Sequence, residues 1–101
     1  SPMKEAEGAN HLQLGMLSMQ KGNIKEAEKY IRQAIRSGLP DKENQAAAYL
    51  QMCSLMMNKR DMNSLRAAKD FFRKAKALKP KTPQIVEQIK EIEKYISRIP
   101  G

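Results

Sequence analysis

LGMLSMQKGNIKEAEKYIRQAI, residues 14–35, reads as two helices joined by a tight turn. Lys21-Gly22-Asn23 is the turn. Gly22 suits a left-handed helix cap and Asn23 an N-cap for the helix that follows. The second helix spaces Ala27, Ile31 and Ala34 along one face, and the first places Gly15 opposite them. Small residues at Gly15, Ala27 and Ala34 let two backbones approach closely, while Leu14 and Ile31 fill the flanking space. The first helix carries further apolar residues on both sides. At 100° per residue Leu14 and Leu17 fall on one side, and Leu12, Met16 and Met19 on nearly the opposite one. A surface helix needs one apolar stripe to hold it to a core. Leu14 and Leu17 are expected to serve packing, leaving Leu12, Met16 and Met19 for another purpose.

The pattern continues through the chain. The first helix starts near Lys4, and Gly38-Leu39-Pro40 stops the second. Asp41 caps a third that ends near Asn58, and a fourth runs from about Asn63 to Leu78 with Pro80 beyond it. Thr82-Pro83 opens a fifth that carries Ile85, Ile89, Ile92 and Ile96 in one clean stripe. No run alternates with period two, so strands are not expected. Setting Leu14-Gly15 over Met52-Cys53 places His11 over Tyr49 and Ser18 over Met56. Ala27, Ile31 and Ala34 then match Ala68, Phe72 and Ala75. Short turns force antiparallel neighbours. The fold class is therefore all-α: two antiparallel helix-turn-helix hairpins plus a fifth helix, in one domain.

The two hairpins resemble the tetratricopeptide repeat, whose W-x2-L-G-x2-Y, A-x3-F, P pattern is met by residues 14–35 and again by AAKDFFRKAKALKP, residues 67–80. The resemblance implies a right-handed α-solenoid with repeat 1 at about 8–41, repeat 2 at about 42–82 and a capping helix at about 83–98. His11 and Ser18 replace large aromatics of the pattern, and Pro40 comes one residue late. Gly15 and Cys53 are 38 residues apart, but Ala27 and Ala68 are 41 apart. The surplus falls in the turn around Arg60-Asp61-Met62-Asn63, which is expected to stand away from the body.

The resemblance also implies where a partner binds. First helices of such repeats line a concave groove, which here assigns Leu12, Met16 and Met19, joined by Leu50 and Met57, with Gln51, Ser54 and Asn58 as polar neighbours. The family's carboxylate clamp is missing, since Leu12 and Met16 hold its places. The ligand expected is an apolar or amphipathic peptide or helix, for which methionine side chains adapt well. Self-association into a homodimer through the same stripe is the alternative occupant.

The charge balance is +8, from 19 Lys and Arg against 11 Asp and Glu. It is concentrated between Lys59 and Lys81, and Arg66, Lys69, Arg73, Lys74 and Lys76 make the fourth helix a basic surface. That surface is the second functional reading, a dock for nucleic acid or anionic membrane. Phe71 and Phe72 lie within it, but Phe72 fills a packing place. No constellation supports catalysis: His11 is the only histidine and lacks a paired carboxylate or cysteine. Cys53 stands in the small-residue place, as a buried hydrophobe would. Glu26, Glu28, Glu87, Glu91 and Glu93 fall on polar faces where lysines and arginines can pair with them. No enzyme activity, cofactor, metal or small-molecule substrate is expected. A single cysteine allows no internal disulfide, so a cytoplasmic, reducing location is expected. Ser1-Pro2 ahead of Met3 reads as a cloning remnant, and an anchor or signal outside this sequence would be invisible in it.

Overall fold

A computed structural model describes residues 2–100 of the chain, with side chains from Asn10 onward. Its elements are α1 (Pro2–Gln20), α2 (Ile24–Ser37), α3 (Lys42–Lys59), α4 (Met62–Ala77) and α5 (Pro83–Ile96). Strands are absent among the described residues, and none of the helices is long and apolar enough to cross a membrane.

Local chemistry sets the helix ends. The Asn23 side chain caps α2: its Oδ1 accepts from the Glu26 backbone N–H at 3.4 Å, and its Nδ2 donates to the Glu26 carboxylate. Gly22, at φ +79°, supplies the left-handed residue that the turn before it needs. Asp41 accepts from Glu43 N at 2.8 Å and caps α3. The second inner turn corrects the expectation of a projecting loop. α3 runs on to Lys59 and α4 starts at Met62, so the surplus residues are absorbed into helix and only Arg60 and Asp61 lie between. Arg60 takes the left-handed conformation, and Asp61 caps α4 by accepting both Ser64 N and Ser64 Oγ at 2.8 Å. Thr82 also departs from its expected role. Its side chain does not cap α5; its N–H and Oγ1 donate to Glu43 Oε1, at 2.8 and 2.7 Å, joined by Lys81 N at 2.9 Å. Glu43 thus ties the start of α5 to the start of α3. These hydrogen bonds, Thr82's first, hold its carboxyl below the usual glutamate range.

α1 pairs with α2 and α3 with α4, and the two hairpins join where α2 packs on α3. α5 lies against α3 and α4. α3 is therefore the central helix, and it buries Ala46, Ala48, Leu50, Met52, Cys53, Leu55 and Met56. Each hairpin closes on the small residues the sequence marked. Ala27, Ile31 and Ala34 are fully buried in the first, and Ala68, Phe72 and Ala75 are buried in the second. A Cβ built on Gly15 would lie 2.6 Å from Ile31 Cγ1 and 3.4 Å from the Ala27 carbonyl, so α1 sits closer to α2 than any larger residue permits. That contact also fixes the rotation of α1 about its own axis.

Candidate interaction surfaces

With Gly15 facing α2, the inward side of α1 comprises Leu12, Gly15 and Ser18, flanked by half-buried His11 and Met19. Leu12 is 6% exposed and belongs to the core. Leu50, its match in the second hairpin, is fully buried in α3. Both are corrections to the groove expected from the sequence: these two side chains hold the hairpins together and offer no surface. Leu14 and Leu17 reverse in the other direction. They are 42% and 51% exposed, because they lie 100° and 160° around the helix from Gly15. The packing role expected of them falls to Leu12 and Met19.

Met16 remains accessible at 42% exposure. Together with Met19, Gln20 and Gln51 it lines a depression of about 280 Å³ between α1 and α3. Met19 and Met57 are half-buried and pack against the core. Ser54 is half-buried and Asn58 exposed. Gln20 was not among the residues expected there, although its place one turn beyond Met16 puts it on the same face. The depression is apolar at its methionines and amide-lined at its edges, and no ionised group lines it among the described residues.

The basic surface of α4 is partly spent within the fold. Arg73 pairs with Asp70 at 3.5 Å, and Lys76 pairs with Glu93 of α5 at 2.6 Å. Lys69 donates to the Ile99 carbonyl at 3.1 Å. Lys74 lies over the rings of Tyr49 and Phe71, 5.9 and 5.7 Å from their centroids. Arg66 is exposed. Phe71 is half-buried against Tyr49, and Phe72 is 4% exposed in the core. Neither ring projects from the surface as a base-stacking platform would. The sequence reading passed over a second row of cations: Lys25, Lys29, Arg32 and Arg36 run along the exposed side of α2, opposite its buried alanines.

The other reactive side chains have structural surroundings. Cys53 is fully buried, and burial pushes its thiol up to about 11. Its Sγ lies 3.8 Å from Met57 Sδ. The His11 ring stacks on Tyr30 at 6.3 Å, and its Nδ1 has no hydrogen-bond partner among the described residues. Glu28 is drawn in two directions. Burial raises its pKa, and hydrogen bonds and charge from Arg32 and Lys59 outweigh burial and lower it. No group of three or more histidine, cysteine or carboxylate side chains is placed to hold a metal among the described residues.

Paired helices closed on small residues, repeated once and followed by a single helix, define a helical-repeat protein. A family model for the tetratricopeptide repeat matches residues 9–37, within the hairpin of α1 and α2. Such repeats generally mediate protein–protein interactions and are typically not catalytic. Neither the curated proteins nor the solved structures include one that matches the chain.

Proposed function

We propose that the chain is a protein-interaction module that takes an apolar or amphipathic peptide in the depression between α1 and α3. The observation that supports this reading is Met16, a large apolar side chain left 42% exposed beside Met19, with Gln20 and Gln51 placed to hydrogen-bond a peptide backbone. Thioethers adapt to side chains of varied shape. Each ligand side chain buried there contributes ~1.5–3 kcal/mol before ordering costs. Met19 packs against the core, so the informative change is Met16→Glu alone. A charge at that exposed site leaves the fold intact but is expensive to bury under a ligand.

The test pans a random peptide library on the chain and measures the enriched peptides by fluorescence anisotropy. Apolar peptides are expected, with binding lost in Met16→Glu and unchanged in Lys76→Glu. Peptides that bind both variants as tightly as the wild type would refute the groove. Sedimentation of the wild type and Met16→Glu checks for a second copy as occupant, and a dimer that only the wild type forms would assign the depression to self-association.

A further inference from the structure

Three helices of the chain carry the same row of positions, spaced i, i+4, i+7 and i+11. In α3 the row is Ala48, Met52, Leu55 and Lys59; in α5 it is Ile85, Ile89, Ile92 and Ile96; at α1 it is Asn10, Leu14, Leu17 and Lys21. Two of the rows are covered. Ala48 and Met52 are fully buried and Leu55 is 1% exposed, on the helix against which α2 packs. Ile92 and Ile96 are buried where α5 meets α3 and α4, with Ile85 and Ile89 packed beside them. The row at α1 is bare. Leu14 and Leu17 are about half exposed, Asn10 and Lys21 are exposed, and none of the described elements lies over them.

The covered row of α3 shows what its counterpart is built to receive. Lys59, at the end of that row, pairs with Glu28 of α2 at 3.2 Å. α2 therefore meets α3 with an apolar surface and one carboxylate. Lys21 occupies the place of Lys59 in the α1 row, and it has no ion-pair partner among the described residues. We propose that the Asn10–Leu14–Leu17–Lys21 face of α1 docks an amphipathic helix of a partner, one that lays an apolar stripe over the two leucines and sets a carboxylate on Lys21. A second copy of this chain fits the face less well. Its Glu28 is already held by Arg32 and Lys59, and Lys69 takes the matching place on α4, with the wrong sign. This face is distinct from the depression at Met16, which lies 100° or more around α1 from both leucines.

The probe is a fluorescein-labelled peptide with the sequence of residues 24–39, which carries the apolar residues of α2, the helix packed on α3, and Glu28, the partner of Lys59. It is titrated by anisotropy with the whole chain. Binding is expected to weaken at least about tenfold in Leu17→Glu, where a charge would be buried under the helix. Lys21→Glu is expected to weaken it about threefold or more, and a peptide with Glu28 replaced by lysine should recover that loss on the Lys21→Glu chain only. Lys21 is exposed outside the core, so this reversal stands even if Leu17→Glu unfolds. Met16→Glu is expected to leave the peptide's affinity unchanged, which separates this face from the groove. Equal affinity for wild type and Leu17→Glu, with both folded, would overturn the proposal, as would a lysine peptide that recovers nothing. A wild-type dimer that Leu17→Glu dissolves would overturn it in favour of a second copy.

Discussion

Gly15→Ala adds one methyl group to α1 where the structure has no space for it. The new Cβ would lie 2.6 Å from Ile31 Cγ1 and 3.3 Å from Ile31 Cδ1. Carbon atoms rest at ~3.5–4.0 Å, so helix or side chain must yield by about 1 Å. Ile31 is fully buried and its Cγ1 is bonded directly to Cβ, so the clashing atom is not the far end of a flexible side chain and cannot swing clear. Overpacking of this kind costs ~1–3 kcal/mol. Replacing glycine inside a helix returns ~1 kcal/mol of propensity. The net expectation for alanine is a loss of up to about 2 kcal/mol. Gly15→Leu has a larger volume to place and should lose about 3 kcal/mol or more. At ~4–8 °C per kcal/mol for a domain of this size, the leucine variant should melt more than about 10 °C below the wild type. Far-UV circular dichroism melts supply the measurement. The sign should reverse in a chain carrying Ile31→Ala, where the added methyl enters vacated space and only the propensity gain remains. Gly15→Ala melting above the wild type, or costing the same with and without Ile31, would refute the close-contact argument.

Cys53 offers a second check. With its thiol raised to about 11 and the side chain buried, it should react with a maleimide more than about 100-fold slower in the folded chain than in denaturant at neutral pH. Comparable rates would place it at the surface. Glu43 sets a pH dependence. Its folded pKa lies below the ordinary value, so its contribution is fully present above the unfolded pKa and is lost as pH falls through the folded one. The stability difference between wild type and Glu43→Gln, from urea titrations, should therefore be constant near neutral pH and shrink between about pH 5 and pH 3. A difference that does not change over that window would show that Glu43 contributes no charge to the joint between α3 and α5.

Turn chemistry made most of the architecture legible. Gly22-Asn23, Gly38 through Asp41 and Pro83 each end or start a helix where the sequence places the boundary. The turn between α3 and α4 escaped because Asp61 was not read as a cap. Its side chain starts α4 at once, and Met62 and Asn63 become helix instead of loop. Met16, Met19 and Gln51 line the depression on the face where the sequence places them, whereas Leu12 and Leu50 are buried and Leu14 and Leu17 exposed, the reverse of the sequence expectation. α1 has apolar residues around most of its circumference, so periodicity alone assigns no inward face. The small residue decides it. Gly15 lies against Ile31, and the described side chains of α1, from Asn10 onward, take their exposure from their angle to that point. α3 misleads for a different reason. It is covered by α2, α4 and α5, so a position that borders a groove in an end helix is sealed in a central one.

The excess of apolar residues on α1 then has a physical explanation in two parts. A first helix in this architecture meets its own hairpin partner through one face and a helix packed on the hairpin through another. α3 satisfies both demands inside the chain: Cys53 and Met56 are buried on the side that corresponds to Gly15 and Ser18, while Met52 and Leu55 are buried on the row that corresponds to Leu14 and Leu17. α1 satisfies only the first. If Leu14 and Leu17 were merely tolerated at the surface, their polar substitution would leave stability and every binding measurement unchanged. If they are a docking face, Leu17→Glu leaves the melting midpoint near that of the wild type and removes only the helix-binding signal. The corresponding Leu55→Glu buries a charge beneath α2 and unfolds the chain. The pair of variants applies one chemical change to one repeat position, and the environment alone determines which function it destroys.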